Sequence, residues 1–288
     1  MKPVREPAVA GQFYPSDPAL LAGMVDDLLA AAAGRRTEIA PRLVALVAPH
    51  AGYAYSGRVA AGAYSLLSRG SFGRVVVLAP SHRIPLRGSS IYARGAYRTP
   101  LGLVPVDEEF AERILSCGGG ELVFEPEIHR REHSLEVQLP FLQRALGAFQ
   151  LVPIVMGRQD EPHLTRLAEA IAKATAATGG AERTLLVAST DLSHYFADEA
   201  ARALDGVILG HLSRFDADGL YGDLAAGRCE ACGGGPMVAT LRAARLLGAS
   251  ACEVIDYATS GDATGDRAEV VGYVAAALRG GAAGDDSD

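Results

Sequence analysis

Tryptophan is absent from the 288 residues, and the 27 basic side chains include only two lysines, Lys2 and Lys173. The remaining cations are arginines, scattered rather than gathered on one stretch. With a formal net charge of −7 and no basic stripe, the chain lacks what tracks a phosphate backbone, so neither nucleic acid nor an anionic membrane is an expected partner. Long apolar runs are missing too. Val270–Leu278 is among the longest, far short of the roughly 18 residues that a spanning helix needs. The opening MKPVREPAVAGQFYPSDP breaks any signal-type segment with charges and prolines, so the cytoplasm is the expected location. Cysteine is scarce. Cys117, Cys229, Cys232 and Cys252 do not make a disulfide scaffold in a chain this long, and any that matter should matter as ligands or nucleophiles. No low-complexity linker divides the chain either. One domain over residues 1–279 is expected, followed by a small, acidic, disordered tail at 280–288.

What is present is 49% hydrophobic and 21% charged, enough to bury a large core. Leu43–Ala48, Val75–Ala79, Leu151–Val155 and Leu185–Ala188 are short, continuous apolar runs rich in Val, Ile and Leu, the pattern of strands buried on both faces. Helical spacing marks Pro18–Ala33, stopped by Gly34, and then Gly57–Ser68, Ser134–Leu146, Pro162–Ala177, Glu199–Arg214 and Pro236–Leu247. That alternation predicts an α/β fold, a mainly parallel sheet flanked by helices. Two β-prone pieces around Thr99-Pro100-Leu101-Gly102 predict a hairpin within Tyr92–Val106, so the sheet should be mixed. Glu253–Thr259 and Val270–Leu278 are late strand candidates, although Ala275–Leu278 fits a helix equally well.

Three apolar runs end alike, in LVALVAPH, VVVLAPSH and LLVASTDLSH, which sets His50, His82, Asp191 and His194 just beyond strand carboxyl ends. In open α/β sheets those ends share one edge, and ligands bind in the crevice there. Pro49 and Pro80 end the ladder, and Ser56-Gly57 provides a tight turn before a helix. Singly, each histidine fits a hydrogen-bonded structural residue. Jointly, several imidazoles and a carboxylate in one crevice point to a shared ligand, a metal ion above all, because each polar group left unsatisfied there costs about 1–3 kcal/mol. Cys229 and Cys232 form a C-x-x-C ahead of Gly233-Gly234-Gly235-Pro236, without the second pair of a zinc ribbon. A cysteine near a helix amino terminus should have its thiolate favoured, which makes Cys232 the stronger ligand candidate. His133 and Glu136 fall three apart on one helical face. Either they pair there, or Ser134 caps the helix, Glu136 favours its positive end and His133 is left to solvent.

REPAVAGQFYPSDP, VAPHAGYAYSG, LAPSHR, YRTPLG, EHSLEVQLPF, VPIVMG, STDLSHY, CGGGP and YATSGD occur in order between Arg5 and Asp262, and together they resemble the Memo family, in microbes AmmeMemoRadiSam system protein B. The fold of that family is similar to class III, LigB-type extradiol dioxygenases. The resemblance implies metal ligation by His50, His82 and Cys232, with Asp191, His194 and, at the pocket mouth, His133 as further polar residues of the same site. His194 would move a proton, Asp191 would orient it or a ligand, and Tyr53, Tyr195 and Phe13-Tyr14 would line the walls. Ring-cleaving relatives hold ferrous iron with two histidines and a glutamate; here Cys232 takes the third place, so Fe(II) is implied with copper and zinc also compatible with a thiolate. Three roles follow from the resemblance: a metal-binding protein with redox capacity, an oxygen-consuming oxidoreductase acting on a small aromatic ligand, or a module binding Ammecr-like and radical SAM proteins of the same system.

Overall fold

The structure, a computed structural model, describes residues 2–33 and 42–281. Its first half contains β1 (Val4–Arg5), α1 (Pro18–Ala33), β2 (Leu43–Ala48), α2 (Tyr53–Tyr64), β3 (Arg74–Pro80), β4 (Ser89–Ile91), β5 (Ala96–Thr99), β6 (Gly102–Pro105), α3 (Glu108–Cys117), β7 (Leu122–Val123) and α4 (Pro126–Arg130). Its second half contains α5 (Gln138–Leu146), β8 (Gln150–Met156), α6 (His163–Ala177), β9 (Thr184–Ser189), β10 (His194–Phe196), α7 (Asp198–Ser213), α8 (Ala217–Ala225), α9 (Gly234–Leu246), β11 (Ala249–Thr259), α10 (Ser260–Thr264) and β12 (Val270–Gly280).

Nine strands form the main sheet in the order β10-β12-β2-β9-β3-β8-β4-β7, with β11 on β12. The four central strands, β2, β9, β3 and β8, run parallel, whereas β12 joins β2 antiparallel and β4 joins β8 antiparallel. The sheet is therefore mixed with a parallel centre. Side chains alternate between its faces. Val44, Val76, Leu78, Val152, Ile154 and Leu186 pack into one apolar cluster, with residues of α6 and α9. Leu46, Val75, Val77, Leu151 and Leu185 pack into the other, with residues of α1, α2 and α5. Both faces are buried, which is why these strands are continuous apolar runs.

The expected hairpin is present as β5 and β6, but it pairs with β1 in a separate three-stranded sheet. Ala275–Leu278 is strand, not helix: small alanines fit where β12 is paired on both sides, by β2 and β11. The helix placed at Gly57–Ser68 in fact runs from Tyr53 to Tyr64. Gly57 is accordingly no turn but a contact residue, since a Cβ there would come 3.1 Å from the Leu28 side chain of α1. β12 extends to Gly280, the first residue of the expected tail. Residues 282–288 and the expected helix stop Gly34 lie outside the described residues.

Candidate metal centre

The parallel strands deliver their carboxyl ends to one edge, and the candidate ligands follow directly. His50 comes two residues after β2 and His82 two residues after β3, while Asp191 lies beyond β9. One ring nitrogen each of His50 and His82, together with Cys232 Sγ, all lie within 4.8 Å of one another. Residues 32 to 182 positions apart along the chain are thus brought to one point.

The His50 ring is buried and its tautomer is dictated by its neighbours. Ser189 Oγ donates its single proton to Ser134 O (2.6 Å) and accepts from Gln138 Nε2 (2.7 Å). Its contact with His50 Nδ1 at 2.9 Å must therefore be one in which the imidazole donates. Gln138 is fixed in turn, because Nε2 also donates to Pro49 O (3.0 Å) and Oε1 accepts from Tyr64 Oη (2.6 Å). His50 Nε2 is left with a lone pair, and it faces Cys232 Sγ at 3.1 Å. Burial, then the neighbouring His82 and His133, hold the ring well below the ordinary histidine range, so it stays neutral.

His82 is held by Glu132, which accepts from its Nδ1 (2.9 Å) and its amide (2.5 Å). That again leaves Nε2 free to ligate. Burial alone would raise the Glu132 carboxyl, but the hydrogen bonds and charge of His82 hold it well below the usual carboxylate range. The His133 ring stacks on His82, with centroids 4.7 Å apart, and packs against Phe13 at 4.9 Å. Burial lowers its pKa to about 4. A second donor set, His82, Glu132 and His133, is also compact. The Glu132 oxygens, however, already accept the amides of His133 and Ser134 (3.0 Å each) besides the two His82 groups, which marks Glu132 as the support of a ligand.

Cys232 precedes α9 in a loop packed on the end of β9. Gln159 clamps that loop, donating to Cys232 O (2.9 Å) and accepting from Gly235 N (2.7 Å). A Cβ at Gly233 would sit 2.2 Å from Ser189 O, so only glycine allows the approach. Burial, then the charge of Asp191, push the thiol up; the thiolate expected from the nearby helix terminus is outweighed by desolvation. Asp191 accepts from the His50 amide (2.8 Å), with its other oxygen 3.9 Å from His50 Nε2. Burial raises its carboxyl to about 7.

Several expectations need correction. Helix α5 begins at Gln138, not Ser134, so His133 and Glu136 do not share a helical face. Ser134 Oγ instead donates to Pro80 O (2.7 Å), and His133 is packed between rings instead of solvated. Glu136 is fully buried and accepts from Arg5, Tyr14 and the Ala8 and Val9 amides, anchoring the amino-terminal segment. Asp191 supports His50 rather than capping a helix. His194 lies on β10, its amide donating to Glu230 (2.8 Å); its pKa is lowered by burial, and it is not part of the donor cluster of His50, His82 and Cys232. Tyr53 is buried, whereas Tyr195 is exposed in a left-handed backbone conformation, φ 64°. Glu132, Ser189 and Gln138 were not picked out from the sequence, although each lies inside a quoted motif, EHSLEVQLPF or STDLSHY.

The family model described as Memo-like protein matches residues 5–277. A MEMO1 family protein of Methanothermobacter thermautotrophicus is 40% identical over 275 residues, covering 94% of this chain and 98% of that protein. One from Methanopyrus kandleri is 39% identical over 291 residues, covering 96% and 99%. One from Methanosarcina mazei is 38% identical over 275 residues, covering 94% and 98%. Among the described residues no helix is long and apolar enough to cross a membrane.

Proposed function

Because the chain belongs to the Memo-like protein family, we propose that it is a metal-binding protein with redox capacity, its ion held by His50, His82 and Cys232. The observation that carries this reading is the pair of imidazoles tied at Nδ1, to Ser189 and to Glu132, with Nε2 free beside a thiol. Such outer partners orient ligating histidines and raise their basicity. Two imidazoles and a sulfur can hold iron, copper or zinc, and the resemblance to ring-cleaving dioxygenases puts ferrous iron first, then copper. When bound, iron or copper would supply electron transfer and Lewis acidity.

The remaining residues have parts of their own. Glu132 fixes the His82 ring plane, Asp191 holds the His50 backbone, and His133 walls the imidazole pair. His194, at the crevice edge, is assigned proton transfer. The His82 side chain keeps 29% of its surface exposed, so a small ligand can approach that ligand from solvent. This favours, as a second reading, an oxygen-consuming oxidoreductase acting on a small aromatic molecule.

Elemental analysis of protein purified without added metal tests the first reading. About one equivalent is expected in the parent protein, falling severalfold in Cys232→Ser and His50→Ala variants that retain their circular dichroism. Chelation should lower the melting temperature of the parent alone. Equal metal content in parent and variants refutes the assignment. Oxygen uptake by the Fe(II)-loaded protein with a panel of phenols tests the second reading, which fails if no phenol stimulates uptake.

A further inference from the structure

A cavity of about 1050 Å³ lies between the amino-terminal segment, the turn after β3 and α4. It is outside the donor cluster but adjoins it along the chain: Arg83 follows His82 in sequence, and Arg131 precedes Glu132 and His133. Four arginines line it, and two of these have their charge matched. Arg5 is paired with buried Glu136, and Arg130 with Glu127. Of the two lining carboxylates, Glu127 is thus taken by Arg130, and Glu6 meets Arg98 at 3.0 Å. Among the described residues neither the Arg83 nor the Arg131 side chain has an ion pair or a hydrogen bond; Arg131 donates only its backbone amide, to His129 O, and its charge reaches Glu127 without a contact. In a chain of net charge −7 this is a local reversal of sign. Between the arginines the lining is apolar, with Val9, Ile84 and Tyr92.

We propose that this cavity binds a small organic anion, its carboxylate or phosphate group held by Arg83 and Arg131 and its apolar body laid against Val9, Ile84 and Tyr92. Two guanidiniums without partners supply planar donor forks that match either oxyanion, and the volume suits a small molecule. Arg83 and Arg131 adjoin His82 and Glu132 in the chain, which makes the anion a candidate for the molecule the metal centre acts on. Binding itself does not depend on the metal reading.

Calorimetric titration of the full chain at low salt with inorganic phosphate, phenyl phosphate, benzoate and benzyl alcohol tests the proposal. Saturable binding is expected for at least one aromatic anion, tighter than for inorganic phosphate, with benzyl alcohol weaker; comparison of phenyl phosphate with benzoate tells which oxyanion is preferred. Arg83→Ala and Arg131→Ala should each weaken binding about tenfold, whereas Arg113→Ala, which removes an equal charge on α3, should leave it within about twofold. Metal content measured on the same samples separates the two assignments, since binding that survives in metal-free protein supports this one alone. Absence of saturable binding by every anion, or equal weakening by Arg113→Ala, overturns it.

Discussion

At the scale of single residues, the centre depends on where a few protons sit. Ser189 has one hydroxyl proton and gives it to a carbonyl, so it faces His50 as an acceptor, and this selects the tautomer whose Nε2 is free. Alanine at 189 would leave Gln138, Ser134 O and His50 Nδ1 each short of a partner, in a place where both Ser134 and Ser189 are fully buried. Each orphaned group costs about 1–3 kcal/mol, and loss of an outer partner typically lowers metal affinity about 10–100-fold. Ser189→Ala is therefore expected to lose stability in urea titrations and, separately, to weaken metal binding in a competitive chelator titration. An unchanged metal affinity would mean that the hydroxyl does not set the ring.

Whole elements place these residues, and the loop before α9 has little freedom. Gly233 N donates to Thr190 Oγ1 (3.1 Å), and a Cβ would run into the backbone at Ser189. Backbone cannot yield as a flexible side chain does, so Gly233→Ala should cost about 1–3 kcal/mol and displace Cys232, lowering the thermal midpoint and metal content together. Gly234→Ala is the milder comparison, since its nearest neighbour, at 2.9 Å, is the movable tip of Leu224. The strands were legible in sequence for a simple reason: burial on two faces removes polar positions, and β2 has the very bounds its apolar run predicts. His50, His82 and Cys232 could be singled out in the sequence because each stands within two residues of a proline or glycine at an element end. Glu132, Ser189 and Gln138 were not, because their importance lies in hydrogen bonds across 50 or more residues, which spacing does not encode. Ser134–Val137 looked helical because its apolar spacing continues that of α5, yet Glu136 is drawn to Arg5 and the chain turns there instead.

For the molecule as a whole, buried imidazoles couple stability to acid. His129 is fully buried, and Ser90 Oγ, which gives its proton to Glu125 O (3.0 Å), accepts from His129 Nε2 (3.0 Å). Nδ1 then accepts from Tyr97 Oη at 2.6 Å, and the ring is neutral, its pKa lowered to about 3 by burial and then by Arg5. His133 behaves alike at about 4, whereas Asp191, raised to about 7, acts in the opposite sense. The sign follows from proton counts. Below the unfolded histidine pKa of about 6.5 the unfolded chain takes up protons that folded His129 refuses, so stability is complete above that pH and is lost as the pH falls toward 3. Each such imidazole contributes about 1.4 kcal/mol per pH unit in the middle of that window, and Asp191 cancels about one of them between pH 4 and 7. His129→Gln keeps an amide donor for Ser90 but removes the titration. Urea midpoints of metal-free protein, measured from pH 7 to pH 4, should fall with acid in the parent and fall less steeply in this variant, by about one proton's worth. Parallel curves for the two proteins would mean that His129 charges as readily in the folded chain as in the unfolded one, against its burial.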